Sequence, residues 1–143
     1  MLYALDTNIV SYAMREEGGV ADQMRALGPA KLALPAVVVF ETRFGLLRVG
    51  RLRQLAAFEL WSGVMRQLDF DAEAADHAAR IRLQLETAGT PIGLADLLIA
   101  ATARRHGCTL VTHNTREFSR VPGLLLESES VITGAEVYCN MLI

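Results

Sequence analysis

The sequence predicts an α/β fold in which a parallel sheet is covered by helices on both faces. Three observations support this prediction. Short apolar segments recur along the chain, and most of them are separated by segments long enough for helices. The chain of 143 residues is 52% hydrophobic and 21% charged, which is enough for one domain with a sizeable core. No repeat or low-complexity linker divides it.

The strands are short and almost free of charge. LYAL at 2–5 ends at Asp6, and CTLVT at 108–112 is followed by a polar loop at 113–122. Apolar strands without polar alternation are typical of a sheet buried on both faces. The predicted strands are residues 2–5, 31–34, 64–68, 108–112 and a short fifth one at 124–126.

Turn and capping residues set the predicted helix boundaries. Gly18–Gly19 break the first helix, Gly28–Pro29 end the second and Gly50 stops the third. Pro35 suits the first turn of a helix, and Asp71 is a capping residue. The predicted helices are residues 7–15, 20–27, 35–49, 51–62, 72–88 and 94–106.

Composition excludes several classes of protein. The net charge of −2 argues against a strongly basic coat for nucleic acid. The longest uncharged apolar run, Leu32–Phe40, is far shorter than the about 20 residues of a membrane span. No signal-peptide pattern opens the sequence, and Cys108 and Cys139 make no disulfide framework, so we expect a cytoplasmic protein without a membrane partner.

The basic residues are arginines apart from Lys31. A high-GC genome would produce this bias without functional meaning. The alternative is phosphate recognition, because the guanidinium fork matches phosphate oxygens better than an ammonium group does. The composition leaves both explanations open.

Four acidic residues indicate a site at the carboxyl ends of the strands. Asp6 follows the first strand, Glu41 and Asp96 interrupt apolar helix faces, and Glu117 lies in the loop after the fourth strand. Each alone is compatible with an ordinary turn, helix-start or surface residue. Together they suit a hard divalent cation, because a buried carboxylate is costly unless it is paired or binds metal. One ion or two would activate water for attack on a phosphate.

Two other phosphate-handling families fit less well. A haloacid-dehalogenase-type phosphatase needs a second Asp two positions after the first, and Asn8 stands there. It also needs a downstream lysine, and Lys31 comes too early. A receiver domain fails in a similar way, because it uses paired N-terminal acids and a late lysine.

Four segments resemble the PIN domain family and, within it, the VapC toxins of bacterial VapBC toxin–antitoxin pairs. The segments are LDTN at 5–8, VVVFETRFGL around Glu41, IGLADLLIAATA at 92–103 and LVTHNTREF at 110–118. The resemblance covers residues 1–128. It implies a three-layer α/β/α fold around a parallel sheet of four or five strands, and a Mg²⁺- or Mn²⁺-dependent ribonuclease.

The resemblance also implies roles for the four acids. Asp6, Glu41 and Asp96 match the first three family acids. Asp6 and Asp96 would hold the metal directly, and Glu41 and Glu117 would act through water. In many PIN proteins an aspartate lies where this chain has Asn114, so Glu117 would take its place as the fourth acid.

Other positions would support the site. The resemblance implies that Thr7 orients carboxylates and that Asn8 hydrogen-bonds within the site. Arg116 and Arg120 flank the last acid and are predicted to bind RNA phosphates, with Arg43 a weaker candidate.

The resemblance further implies three partners: an RNA substrate, a VapB-like antitoxin covering the acidic site, and a second copy of the chain in a homodimer. The alternative is a catalytically weak or inactive PIN-like module that binds RNA or protein, for which Asn114 is the best argument. Residues 129–143 extend beyond the predicted nuclease domain and are expected to pack on it, as an edge strand, a partner contact or a peculiarity of this chain.

Overall fold

A computed structural model describes residues 1–15 and 20–133. The predicted break at Gly18–Gly19 lies outside these residues, as do Cys139 and most of the C-terminal extension.

Five parallel strands form one sheet within the described residues, in the order β3-β2-β1-β4-β5. The strands are β1 (Tyr3–Leu5), β2 (Leu32–Pro35), β3 (Arg66–Leu68), β4 (Thr109–Val111) and β5 (Leu125–Glu127). In the register, Ala4 lies between Ala33 of β2 and Leu110 of β4. These three residues are fully buried, which explains the uncharged strand sequences. The predicted parallel sheet is confirmed.

Helices connect the strands. They are α1 (Thr7–Met14), α2 (Val20–Leu27), α3 (Ala36–Arg48), α4 (Leu52–Ser62), α5 (Ala72–Thr87), α6 (Leu94–Arg105), α7 (Thr115–Phe118) and α8 (Ser130–Thr133). From β1 the chain moves outward through β2 to β3 and then crosses to β4 on the other side of β1. Right-handed connections therefore place α1–α4 on one face and α5–α6 on the other. Within the described ranges, no helix is long and apolar enough to cross a membrane.

The change in direction creates a crevice between β1 and β4. In open parallel sheets, ligands bind outside the carboxyl ends of strands at such a point. Asp6 directly follows β1, and Thr112 directly follows β4. The topology thus brings the first predicted acid to the expected edge.

Two local predictions differ from the structure. Pro35 is the last residue of β2 rather than the first turn of a helix, because its φ of −58° and ψ of 140° are extended, and α3 begins at Ala36. The predicted polar loop at 113–122 contains the short helix α7, which is anchored by Phe118, only 1% exposed. A single apolar residue in a polar segment gave too little periodicity to predict that helix.

The alanine-rich helix α6 lies in the core and fixes the position of Asp96. Its buried residues include Ile99, Ala100 and Ala103, and it packs against α5 as well as against β2 and β4. Small side chains allow this close approach on more than one side. Asp96 sits in the first turn of α6 and is therefore held at the sheet edge by a rigid element.

The start of the C-terminal extension contacts the rest of the chain. Helix α8 packs against α2, and Val131 is half-buried against the core. The division between a nuclease domain at 1–128 and an extension at 129–143 remains a prediction.

Candidate active site

Asp6 is the most buried of the four acids, with 4% of its surface exposed. Its Oδ1 accepts a hydrogen bond from the backbone N–H of Thr7 at 2.8 Å and caps α1. Its Oδ2 accepts one from the Thr112 hydroxyl at 2.6 Å. Burial raises the pKa of Asp6, and the repulsion of Glu41 adds to the increase, while the two hydrogen bonds oppose it.

Thr112 is a positioning residue that sequence reasoning missed. Its hydroxyl donates to Asp6 and accepts from the backbone N–H of Asn114 at 3.0 Å, so it connects the ends of β1 and β4. Threonine is common in strands, and its position in CTLVT carried no distinctive signal. Its place at the end of the strand next to β1 was the one available indication.

Replacing Thr112 with Val is expected to weaken both the fold and the site. The change leaves Asp6 Oδ2 without its buried donor and costs about 2 kcal/mol of unfolding free energy. Urea unfolding measures this loss, and RNA cleavage is expected to fall with it. Thr112→Ser retains the hydroxyl and serves as the control. A Val variant as stable and active as the Ser variant would contradict this role.

Glu41 lies on α3 and is held towards the site by Thr7. The Thr7 hydroxyl donates to Glu41 Oε1 at 2.6 Å, while the Thr7 backbone N–H donates to Asp6. One residue therefore hydrogen-bonds two of the predicted carboxylates, and its role in orienting them for catalysis stays a prediction.

Asp96 shows most directly that the acids converge. Burial raises its pKa to about 6, and repulsion by Asp6, Glu117 and Glu41 contributes. Each of the other three acids is close enough to disfavour the ionised form of Asp96. The structure therefore brings the four predicted acids together.

Glu117 is hydrogen-bonded by Asn114, which stands where many PIN proteins have an aspartate. The Asn114 side-chain amide donates to Glu117 Oε2 at 2.7 Å. Asn114, just before α7, thus supports the carboxylate of Glu117, which lies within α7. Asn8 reaches the same edge, where its Oδ1 accepts from the backbone N–H of His113 at 3.4 Å.

The predicted RNA-binding arginines lie in different surroundings. Arg116 and Arg120 are exposed on and just after α7, beside Glu117. Arg43 instead forms a two-bond ion pair with Glu59 of α4, with both distances 2.7 Å. The fork of Arg43 is therefore already occupied by a carboxylate, and its predicted RNA contact has less support than those of Arg116 and Arg120.

The donor set fits a hard divalent cation. It consists of carboxylate oxygens, and none of the four acids forms an ion pair with another described residue. Within residues 1–15 and 20–133, no three His, Cys, Asp or Glu side chains are arranged to bind one metal ion directly. Mg²⁺ needs only one or two direct carboxylates, since it keeps several waters. A cation here would offset both the burial of the Asp96 carboxylate and the repulsion from the other three acids, which together raise its pKa.

Comparisons with known proteins agree with this geometry. The PIN domain family model matches residues 3–124. A Shigella flexneri protein named tRNA(fMet)-specific endonuclease VapC is 36% identical over 129 residues, which cover 90% of this chain and 98% of that protein. The Rickettsia felis protein named Ribonuclease VapC2 is 32% identical over 131 residues, covering 90% of this chain and 98% of its own.

Solved structures show the same likeness. DNA-bound VapBC from Salmonella typhimurium contains a chain that matches with a TM-score of 0.83 at 31% identity, covering 90% of this chain and 99% of that one. FitAcB from Neisseria gonorrhoeae matches with a TM-score of 0.77 at 28% identity, covering 90% and 98%. The chain therefore belongs to the PIN domain family and is a VapC-like ribonuclease within it.

Proposed function

We propose that the protein is the toxin of a VapBC-type pair and hydrolyses RNA phosphodiesters with Mg²⁺ or Mn²⁺ bound at Asp6, Glu41, Asp96 and Glu117. The convergence of the four acids carries the proposal. Burial raises the pKa of Asp96, the charges of the other three acids raise it further, and a divalent cation offsets such repulsion. A bound cation supplies an activated water and neutralises charge that develops on the phosphate.

The position of each acidic side chain determines its proposed role at the cation. Asp6 and Asp96 hold the cation, because both are fixed at the starts of helices beside the crevice. Glu41 and Glu117 complete its surroundings through water. Thr7 orients the first of these two, and Asn114 orients the second. Asn114, on which the inactive-module alternative rests, donates a hydrogen bond to Glu117, and this contact supports Glu117 as the fourth acid.

The relatives suggest the partners. Their solved structures include complexes named VapBC and FitAcB, so we propose that an antitoxin covers the acidic edge of this chain. The homodimer and the cytoplasmic location belong to the same proposal. A relative is named for tRNA(fMet), which makes that RNA the first defined substrate to test.

Cleavage of total cellular RNA by the purified, antitoxin-free protein tests the activity. We expect discrete fragments with Mg²⁺ or Mn²⁺ and none with chelator, and mapping the fragment ends identifies the target. A folded protein that leaves total RNA and tRNA(fMet) intact with either metal would favour the binding-module alternative.

Arg116 is proposed to bind a phosphate near the cleaved bond. Arg116→Ala is expected to weaken the binding of single-stranded RNA alike for different sequences and to lower the salt slope by about 0.7, because one phosphate contact is lost. Fluorescence anisotropy over a salt series measures both quantities. Arg80→Ala on α5 removes the same charge from an exposed i,i+4 ion pair and serves as the control. Equal slopes for the two variants would remove Arg116 from the RNA-binding surface.

A further inference from the structure

A groove of about 290 Å³ leads away from the candidate active site between α1 and α3. Thr7 and Glu41, which are hydrogen-bonded to each other, line the end of the groove at the candidate active site. Arg15, just past the end of α1, and Arg51, just before α4, also line it. The groove is therefore continuous with the site and carries two guanidinium groups.

The groove extends well beyond the reacting centre. It is lined from Thr7 at the start of α1 to Arg15 just past its end, and from Glu41 on α3 to Val49 just past the end of that helix. At 1.5 Å per residue each stretch measures about 12 Å, or rather more than two helical turns. Arg15 therefore lies about 12 Å along the groove from Thr7, where it is placed for a phosphate away from the cleaved one, while Glu41 lies at the end that faces the cleaved one.

Gly45 keeps the groove open in the middle of α3. A Cβ built at Gly45 would meet no atom within 4 Å, so the fold does not require glycine by close packing there. Glycine inside a helix is less favourable than alanine. Because Gly45 lines the groove, the structural gain from its missing side chain is space for an occupant.

Contacts within the chain orient the two arginines. The Arg15 guanidinium lies over the ring of Tyr12, 5.2 Å from the ring centroid. Arg51 Nη1 donates to Gln54 Oε1 at 3.4 Å. Since a guanidinium has five N–H donors, the Arg51 contact leaves capacity for a phosphate.

We propose that this groove binds the unpaired RNA segment adjoining the cleaved bond, with Arg15 and Arg51 holding its phosphates. The proposal rests on the ribonuclease function proposed above. A polyanion suits the arginine-bearing part of the groove, and a metal-neutralised phosphate suits the carboxylate end. A strand held between two helices must be single, in keeping with the general preference of proteins for loops and ends of RNA.

Anisotropy with a fluorescein-labelled, unstructured oligoribonucleotide tests the groove. The titrations contain chelator, so binding is measured without turnover. Arg15→Gln combined with Arg51→Gln is expected to weaken binding at least tenfold and to lower the single-strand salt slope by about 1.4. Gly45→Leu is expected to weaken binding with an unchanged slope and without a lower melting temperature. Arg80→Gln is the charge-matched control and is expected to bind like the wild type.

The outcomes separate the groove from the activity. If the wild type cleaves total RNA with Mg²⁺ while both groove variants bind the oligoribonucleotide unchanged, the groove proposal fails alone. If these variants keep RNA affinity but lose affinity for a VapB-like antitoxin, the groove belongs to the antitoxin and the proposal is overturned. A wild type that neither cleaves total RNA nor binds the oligoribonucleotide overturns the groove and the proposed function together.

Discussion

Asp96→Asn is expected to lower metal-dependent RNA cleavage by about a thousandfold or more. The change removes a carboxylate at the start of α6. This carboxylate lies close enough to the other three acids for their charges to act on it. Metal activation of water and charge stabilisation are together worth several kcal/mol, and about 1.4 kcal/mol corresponds to a factor of ten in rate. Fragment formation from total RNA under Mg²⁺ measures the loss.

Asp76→Asn is the matched control for this experiment. Asp76 lies on α5 in an exposed ion pair with Arg80, so the same substitution removes a carboxylate away from the site. The control is expected to cleave like the wild type. An Asp96→Asn variant that folds and retains more than about a tenth of the activity would show that Asp96 does not hold the catalytic metal.

The second large effect concerns the pH dependence of stability without metal. The pKa of Asp96 is raised from 3.8 to about 6, so the folded protein binds this proton more tightly than the unfolded chain does. Below about pH 4 the Asp96 side chain therefore does not lower the free energy of unfolding. Its ionisation lowers that free energy progressively as the pH rises to about 6, and the full loss persists at higher pH. The full shift corresponds to about 3 kcal/mol, reduced to about 2 kcal/mol by solvent screening at a half-buried group.

Urea unfolding of the wild type and of Asp96→Asn, in chelator, measures this effect. The Asn variant is expected to be the more stable by about 2 kcal/mol at pH 7, and the difference is expected to vanish near pH 4. Saturating Mg²⁺ is expected to reverse the order at pH 7, because only the wild type gains the binding energy. A difference that stays constant between pH 4 and pH 7 would contradict the raised pKa of Asp96.

The parallel sheet and the acidic site residues could be predicted from the sequence for the same physical reason, the cost of burying charge. A parallel sheet buried on both faces needs uncharged strands, and LYAL and CTLVT have this pattern. A carboxylate on an apolar helix face is costly to bury, so it can be recognised in the sequence as a candidate site residue. Asp6, Glu41 and Asp96 could therefore be predicted as a group. The strand order was needed to place them together.

Features that depend on how helices and strands pack could not be predicted from the sequence. The bond from Thr112 to Asp6 requires β4 to lie beside β1, although 106 positions separate the two residues. The ion pair of Arg43 with Glu59 depends on how α4 folds back on α3. That Gly45 lines a groove together with residues of α1 follows from the packing of α3 beside α1.

Calorimetric titration of Mn²⁺ into the purified protein at neutral pH shows whether the four converging acids form a metal site. We expect saturable binding to the wild type and to Asp76→Asn. Binding to Asp96→Asn is expected to be at least about tenfold weaker, because one carboxylate ligand is lost. Equal Mn²⁺ affinity for the wild type and Asp96→Asn would contradict the account.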